Sequence, residues 1–325
     1  MAAIAGKKRT QTLDGFFKSP EAKKQKHEIV SSSSDKVSAH DTYPFPVPHL
    51  PTELTDALGF APEAEAKVIN DQPDLDLLYF QPYVPKSSER ALFRFLRQEL
   101  FFYRVQYKIK RGPVETQINT PRFTTVFGLD ETSKFGPDGS SIVDAITRQP
   151  VPADRYKTCK PRPIPECLDY LRRLTEGCTG ETYNFCLVNY YASGSDSISY
   201  HSDDERFLGN NPAIASFSLG AKRDFLMKHK PSNTSDKDPP PEAKPLKLPL
   251  ASGDMILMRG LTQSRWLHSI PKRKSGEADL GRINITFRKA LVRGGTENYY
   301  QYNVGAGQPF QWDENRGEMT PWKPS

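Results

Sequence analysis

Two histidines and an aspartate in this chain have the types and spacing of a metal site. His201 and Asp203 are two residues apart, and His268 lies far downstream. Because alternate residues of a β-strand point to the same face, His201 and Asp203 can reach one ion, while His268 must come from a neighbouring strand. Two imidazoles and one carboxylate on one side of an ion are typical of non-haem Fe(II) oxygenases. Zinc hydrolases use similar ligands, so these residues alone leave the metal open.

The segment 282–288 alternates polar and apolar residues, as expected of a half-buried β-strand. Its polar face carries Arg282, Asn284, Thr286 and Arg288. Guanidinium groups are costly to bury without an anion, and arginine binds carboxylates through two parallel N–H bonds. A dicarboxylate such as 2-oxoglutarate fits this face, whereas a zinc hydrolase would not need it.

Five segments in a fixed order give the chain a family resemblance. They are Asn184–Tyr191, His201–Arg206, Ala215–Phe225, Trp266–Pro271 and Arg282–Arg288. Over residues 75 to 290, approximately, the chain closely resembles the AlkB family, specifically its eukaryotic nuclear DNA-repair branch. The resemblance implies a mainly β fold with added helices (α+β), a double-stranded β-helix or jelly roll with an N-terminal nucleotide-recognition lid.

The resemblance also implies ligands and a reaction. Fe(II) would be held by His201, Asp203 and His268. The cosubstrate 2-oxoglutarate would be held by Arg282 and Arg288, helped by Asn189, Tyr191 and Asn284. With dioxygen as the second cosubstrate, the implied activity is oxidative demethylation of 1-methyladenine and 3-methylcytosine in DNA, releasing formaldehyde, succinate and carbon dioxide. The same chemistry on RNA or protein, and a non-catalytic reader of damaged bases, are the alternatives.

Asp204 and Glu205 follow the metal-binding motif and are candidates for contacting the substrate. A carboxylate at the mouth of the site can accept a hydrogen bond from the exocyclic amine of a damaged base. A solvated acidic turn is the alternative interpretation.

Residues 103–130 predict a lid. Residues 105–110 alternate as a strand, and Gly112-Pro113 predicts the turn of a hairpin. In the related enzymes this region recognises the nucleotide, which makes Tyr107, Arg122 and Phe127 substrate-binding candidates here. Aromatic residues among cations suit base stacking and phosphate contact, although a buried aromatic strand would explain each of them equally well.

Composition is compatible with a nucleic-acid enzyme. The 325 residues include 45 Lys plus Arg against 39 Asp plus Glu, a formal net charge of +6. A clustered basic excess favours a polyanion. No apolar run is long enough to span a membrane, the N-terminus lacks a secretory signal, and the four cysteines form no Cys-x-x-Cys pair. We expect an intracellular monomer with reduced cysteines.

The chain divides by composition into a leader and one catalytic domain. Residues 1–70 are rich in Lys, Ser, Pro and Glu and predict a disordered leader. Residues 71–290 are expected to form the dioxygenase domain. Within it, helices are predicted after Ser87 or Ser88 and over residues 166–176.

Strands are predicted to dominate from residue 184 to residue 289. The polar, Pro-rich segment 231–244 predicts a mobile surface insertion. Residues 291–325 form an aromatic C-terminal extension, which we expect to pack on the barrel.

The leader contains two short motifs. Residues 10–17 resemble the box that docks on the replication sliding clamp, in which Leu13, Phe16 and Phe17 would enter an apolar pocket. Thr10 departs from the glutamine usual at its position, and a chance hydrophobic cluster is the alternative. The basic groups 7–9 and 23–26 resemble the halves of a bipartite nuclear import signal, which predicts a nuclear location, while a charged, solvated tail would look the same.

Overall fold

The computed structural model describes residues 36–152, 154–156, 160–231, 243–274, 276, 280–292 and 307–324; for residues 106–109, 111 and 117–119 it describes the backbone alone. Most of the described residues that are not in loops belong to antiparallel sheets.

The larger sheet contains ten strands among the described residues. Their spatial order is β20 (Glu318–Pro321), β19 (Pro309–Asp313), β5 (Phe102–Tyr103), β8 (Phe123–Gly128), β11 (Phe185–Tyr191), β18 (Arg282–Arg288), β13 (Ile214–Gly220), β16 (Met255–Met258), β4 (Leu77–Phe80) and β3 (Lys67–Ile69).

A smaller sheet, three strand pairs and the helices make up the other described elements. The smaller sheet has the order β12 (Ile198–His201), β17 (Trp266–Ile270), β14 (Arg223–His229) and β15 (Leu246–Leu250). The pairs are β1 (Val37–Ser38) with β2 (Val47–Pro48), β6 (Gln106–Arg111) with β7 (Val114–Asn119), and β9 (Ser133–Phe135) with β10 (Ile142–Asp144). The helices are α1 (Thr52–Leu58), α2 (Glu89–Glu99), α3 (Glu166–Thr179), α4 (Thr262–Arg265) and the single 3-10 turn Arg206–Leu208.

The two sheets face each other across a cavity. Side chains of β8, β11 and β18 in the larger sheet and of β12, β14 and β17 in the smaller sheet line it. Two antiparallel sheets that enclose one interior form the architecture of a jelly roll. The predicted mainly β fold with added helices is therefore confirmed.

Strand β18 lies at the centre of the larger sheet, antiparallel to β11 and β13. Its apolar side chains Ile283, Ile285 and Phe287 are fully buried, and the Phe287 ring contacts the rings of Tyr183 and Phe217. The alternation predicted for residues 282–288 is confirmed. Its consequence is that the polar face of β18 can turn towards the cavity.

Both predicted helices are present. α2 begins after Ser88 and buries Leu92 and Leu96 at helical spacing, although the Ser88 hydroxyl donates to the carbonyl of Pro85 and does not cap the helix. α3 begins at the predicted residue and continues three residues beyond the predicted end. It stops where Gly180 takes a left-handed conformation, with φ of 73°, which glycine adopts without steric cost.

The predicted lid region has two different parts. Strands β6 and β7 form the expected hairpin, with Arg111 opposite Val114 and Gly112-Pro113 as the turn. The following strand, β8, belongs instead to the larger sheet and is buried along its whole length. The hairpin is therefore the part that can act as a lid, and β8 is a wall of the fold.

The prediction of a disordered leader up to residue 70 is wrong for residues 36–70. Leu54 and Leu58 of α1 are buried in the core. Upstream of α1, the Tyr43 hydroxyl donates to the Pro163 carbonyl at 2.5 Å, and Arg162 Nε donates to the Thr42 carbonyl at 2.9 Å. The prolines of this segment impose extended backbone, which the fold uses, so that a lack of periodicity here does not mean disorder. Residues 1–35, including Leu13, Phe16 and Phe17, lie outside the described residues.

The C-terminal extension adds an edge to the larger sheet. Strand β19 pairs with β5 and β20. The Trp312 ring lies 3.7 Å from the Arg97 guanidinium carbon, and the rings of Phe310 and Phe123 are 5.2 Å apart. The expected packing on the barrel holds for residues 307–324, whereas residues 293–306 and most of the predicted insertion, residues 232–242, lie outside the described residues. Of the helices in the described part, none combines the length and apolar character needed to cross a bilayer.

A core substitution in α1 tests whether residues 36–70 belong to the folded domain. We expect Leu58→Ala to lower the free energy of unfolding by about 2–5 kcal/mol, because it leaves a cavity at a fully buried position. The matched control is Phe60→Ala, whose side chain is 82% exposed, and which should change stability by less than about 0.5 kcal/mol. Urea denaturation measures both. Equal, small effects would mean that α1 does not pack on the core.

Candidate active site

The three predicted metal ligands lie together between the sheets. His201, at the end of β12, is in register with His268 of β17. The Nε2 atoms of His201 and His268 lie 4.0 and 3.8 Å from the two carboxylate oxygens of Asp203, and the ligand atoms all lie within 4.8 Å of one another. Strand β12 ends at His201, so that Asp203 belongs to the following loop and not, as predicted, to the strand itself.

The imidazole rings are oriented by contacts behind them. His201 Nδ1 donates to the carbonyl of Ser199 at 2.8 Å, which leaves the lone pair of Nε2 directed towards Asp203. The His268 ring packs beside the Phe225 ring at 5.2 Å between centroids. Such contacts fix ring orientation before a metal binds.

The local electrostatics keep two of the ligands in their metal-binding forms. Burial, with a smaller contribution from the neighbouring His201, lowers the pKa of His268 to about 3, although Asp203 opposes this shift. Burial raises the pKa of Asp203, but Arg288 and the two imidazoles outweigh this effect and hold the pKa below its usual range. A neutral imidazole and an ionised carboxylate are the forms that coordinate a cation. At neutral pH neither group must lose a proton to bind one.

Arg288 contacts the metal-binding carboxylate. Its Nη2 lies 3.1 Å from Asp203 Oδ1, and both side chains are buried. The side chains that line the cavity do not include Arg288. The structure places Arg288 beside Asp203, where it neutralises and orients the carboxylate, and its predicted role in binding the cosubstrate stays a prediction.

Arg282 is a buried cation that faces the cavity, whose volume is about 690 Å³. Its side chain is buried; Nη2 donates to Ser218 Oγ at 2.8 Å, and the guanidinium carbon lies 5.4 Å from the centre of the Tyr191 ring. Among the described residues, none forms a hydrogen bond with its Nε and Nη1 atoms. Burial lowers the pKa of Arg282 to about 10, so the group remains cationic at neutral pH. A buried cation with two unsatisfied N–H donors fits an anionic ligand such as a carboxylate.

Two amide side chains also line the cavity. The Oδ1 atom of Asn189 accepts hydrogen bonds from Thr124 Oγ1 at 2.9 Å and Arg122 Nε at 3.1 Å, which leaves its Nδ2 group as a donor. The Nδ2 atom of Asn284 donates to Ser216 Oγ and the Phe217 carbonyl, which leaves its Oδ1 as an acceptor. With Tyr191 and Arg282, the predicted cosubstrate residues other than Arg288 therefore surround one cavity.

Of the predicted substrate-binding residues, Arg122 and Glu205 line the cavity. The Arg122 guanidinium is held by its bond to Asn189. Asp204 does not line the cavity, because its carboxylate forms an ion pair with Lys230 Nζ at 2.6 Å. The side chain of Tyr107 lies outside the described residues.

The assignment of Phe127 to the substrate site is wrong. Phe127 is fully buried and packs against the rings of Phe101 and Tyr43, with centroids 5.4 and 6.0 Å away. Successive strand residues face opposite sides, so that the cavity side of β8 is the side of Thr124. Because β8 is buried on both faces and shows no alternation, its sequence does not reveal which side chains face the cavity.

Several residues of the site had no signal in the sequence. Thr124, Ser216, Phe225 and Met258 line the cavity, and Gln263 accepts a hydrogen bond from the Asp203 backbone. Thr124 lies on β8, where burial on both faces leaves no alternation that would indicate which residues face the cavity. Gln263 occupies a four-residue helix without periodicity, and only the packing of that helix brings it to the site.

The donor set fits an iron ion with 2-oxoglutarate. Two imidazoles and one carboxylate converge and leave other coordination positions open, as in the 2-His-1-carboxylate triad. The same cavity contains the unsatisfied guanidinium of Arg282. A metal-bound dicarboxylate that reaches Arg282 would satisfy both features.

Comparisons with known proteins agree with this fit. The model of the 2OG-Fe(II) oxygenase superfamily matches residues 76–288. The human DNA oxidative demethylase ALKBH2 is 43% identical over 135 residues, which cover 42% of this chain and 50% of that protein. The Arabidopsis thaliana protein of the same name is 39% identical over 230 residues, covering 66% and 67%. The rat alpha-ketoglutarate-dependent dioxygenase alkB homolog 3 is 39% identical over 140 residues, covering 40% and 44%. The chain thus matches about half the length of the mammalian relatives and two thirds of the plant relative.

Replacing the cavity guanidinium tests its assignment. We expect Arg282→Lys to weaken binding of 2-oxoglutarate by about 10- to 100-fold, because hydrogen bonds to charged groups contribute about 1.5–3 kcal/mol and lysine lacks the two-pronged geometry. The measurement is calorimetric titration with Mn(II) in place of Fe(II). Arg94→Lys, on the exposed face of α2, is the control and should leave the affinity unchanged. An unchanged affinity in Arg282→Lys would place the cosubstrate elsewhere.

Proposed function

The chain belongs to the AlkB family of DNA-repair oxygenases within the 2OG-Fe(II) oxygenase superfamily, and on this basis we propose that it is an oxidative demethylase of alkylated DNA bases. The proposed reaction consumes 2-oxoglutarate and dioxygen and releases formaldehyde, succinate and carbon dioxide. The proposed substrates are 1-methyladenine and 3-methylcytosine in DNA.

One observation carries the proposal: the ligand triad and the guanidinium of Arg282 share a single cavity. A zinc hydrolase needs an ion and a water but no buried cation opposite the metal. A binding module without catalysis has no use for three ligands that leave coordination positions open. Both features together match a metal that works with an anionic cosubstrate.

The residues of this chain would divide the work in a simple way. His201, Asp203 and His268 would hold Fe(II), which supplies the oxidising chemistry with 2-oxoglutarate and dioxygen when bound. Arg282 would bind the far carboxylate of 2-oxoglutarate and so set its orientation. The apolar side chains of Leu187, Ile198, Phe225 and Ile270 line the same cavity and would limit the access of water.

Glu205 and Arg122 support recognition of a damaged base at the cavity. A carboxylate at Glu205 can accept a hydrogen bond from an exocyclic amine, a group that both methylated bases retain. A base in a duplex must leave the stack to enter such a cavity. The β6–β7 hairpin is the element that we propose to contact the nucleic acid during this step, as the family resemblance implies.

We further propose that the enzyme works in the nucleus as a monomer and docks on the replication sliding clamp. Support for a monomer comes from the site, to which the described residues of one chain contribute the whole ligand triad. Support for the nucleus and for the clamp comes from the basic groups 7–9 and 23–26 and from residues 10–17. Residues 18–35 separate this motif from residue 36, where the described part of the chain begins.

Demethylation of defined oligonucleotides tests the proposed activity. We expect formaldehyde release from DNA that contains 1-methyladenine, in the presence of Fe(II) and 2-oxoglutarate, with single- and double-stranded DNA and RNA compared side by side. His201→Ala removes one ligand and should abolish release while leaving the melting temperature of the metal-free protein nearly unchanged. Release from RNA alone would favour the RNA alternative. DNA binding without any turnover of 2-oxoglutarate would favour a damaged-base reader.

The clamp motif can be tested separately. The double variant Phe16→Ala/Phe17→Ala of the full chain should bind the replication sliding clamp at least about tenfold more weakly, because aromatic anchors dominate such short apolar contacts. Calorimetry or surface plasmon resonance measures the affinity. Phe60→Ala, an exposed aromatic residue of the folded part, should bind as the wild type does. Equal affinity of all three proteins would show that the motif is a chance cluster.

A further inference from the structure

Helix α4 contacts the loop that carries the metal-binding aspartate. Gln263, in α4, is fully buried, and its Oε1 atom accepts the backbone N–H of Asp203 at 3.1 Å. Its Nε2 atom donates to Met258 Sδ at 3.3 Å. The two bonds determine which end of the amide faces Asp203, because only the oxygen can accept from an N–H group.

The helix itself is held in place by the chain on its other side. Thr262 Oγ1 accepts the backbone N–H of Asp76 at 2.9 Å and donates to the Asp76 carbonyl at 3.2 Å. Arg259, just before the helix, pairs with the Asp76 carboxylate at 2.9 Å. Gln263 therefore projects from a fixed support, although α4 is only four residues long.

Asp203 needs such a support because its loop lies beyond the sheet. Strand β12 ends at His201, and its register with β17 is irregular between Ile198 and His201. On the side-chain side Arg288 binds the carboxylate. On the backbone side the Asp203 N–H group donates to Gln263 Oε1.

A second contact between this loop and the same region is weaker. Lys230 Nζ pairs with Asp204 at 2.6 Å and donates to the Gln263 carbonyl at 3.4 Å. The Asp204 side chain is 44% exposed, and exposed ion pairs contribute little to stability. The buried bond from Asp203 to Gln263 is the stronger restraint.

We propose that Gln263 is a positioning residue for the metal site: it fixes the Asp203 backbone so that the carboxylate faces both imidazoles, and thereby raises metal affinity. The inference rests on the metal site of the proposed function and adds a residue that touches neither metal nor substrate. Partners that orient metal ligands typically change metal affinity by about 10- to 100-fold. Because Gln263 acts before the metal binds, its effect should be visible without catalysis.

The test is the binding of Mn(II) alone to the full chain, measured by calorimetry. Gln263→Met nearly keeps the size and shape of the side chain but replaces the amide oxygen with a poor acceptor. We expect its dissociation constant for Mn(II) to rise about tenfold, within the range for such orienting partners. Gln263→Glu keeps an acceptor oxygen and should bind Mn(II) at least as well as the wild type. Equal Mn(II) affinity in Gln263→Met and the wild type would overturn the proposal.

Two controls separate the possible failures. Ser264→Ala removes a neighbouring hydroxyl that bonds within the helix to the Leu261 carbonyl, and it should leave Mn(II) affinity unchanged. His201→Ala should abolish Mn(II) binding. If the wild type itself binds no Mn(II), the metal site of the proposed function fails; if it binds and Gln263→Met binds equally, only the role of Gln263 fails.

A measurement on the wild type keeps the proposal testable even if Gln263→Met does not fold. In the metal-free protein, the Asp203 amide should exchange slowly with solvent deuterium, because it is bonded to a buried acceptor. NMR detection resolves this amide. Exchange at the rate of an unprotected amide would show that the bond does not hold the loop, and the proposal would be rejected.

Discussion

Three ionised side chains buried between two sheets are the constraint on which this structure depends. Arg282, Arg288 and Asp203 are each at most 4% exposed, and the removal of charges from water costs several kcal/mol per ion. The pair of Arg288 with Asp203 offsets part of this cost inside the protein. Arg282 donates to the Ser218 hydroxyl, and its Nε and Nη1 atoms have no hydrogen-bond partner among the described residues. The fold thus holds a buried cation that can pair with an anionic ligand. Binding of that ligand would reduce the free-energy cost of burying Arg282 with unsatisfied donors.

The arrangement of strands makes this burial possible. β18 sits between β11 and β13, so that its backbone is hydrogen-bonded on both sides and its alternation is rigid. The apolar face of β18 is buried, with Phe287 against the rings of Tyr183 and Phe217. Its polar face lines the cavity, opposite the smaller sheet. The smaller sheet supplies the two imidazoles from paired strands. The larger sheet therefore contributes the guanidinium of Arg282, the smaller sheet contributes the two imidazoles, and the site forms where the two sheets face each other.

Peripheral segments stabilise this core in ways that composition does not show. Residues 36–70 contribute buried leucines to the core. Residues 307–324 extend the larger sheet, because β19 pairs with β5, which in turn pairs with β8. The four-residue helix α4 holds the Asp203 loop through Gln263. These elements are short and have weak local patterns. Phe310 of the C-terminal extension packs against Phe123, next to the cavity residue Thr124, and Gln263 bonds to the Asp203 backbone.

The sequence by itself determined the elements whose pattern is local. The alternation of 282–288 and the helical spacing after Ser88 are patterns among residues close together in the chain. The ligand motifs occur in a fixed order, and the family resemblance to which they led implied the fold, the metal and the cosubstrate. The tertiary structure alone decided the rest. It placed Thr124 and not Phe127 on the cavity side of β8, paired Asp204 with Lys230 and Arg288 with Asp203, and brought Gln263 to the metal site. A strand buried on both faces has no polar alternation to reveal its phase, and contacts between residues far apart in the chain depend on how sheets and helices pack, which no local pattern encodes.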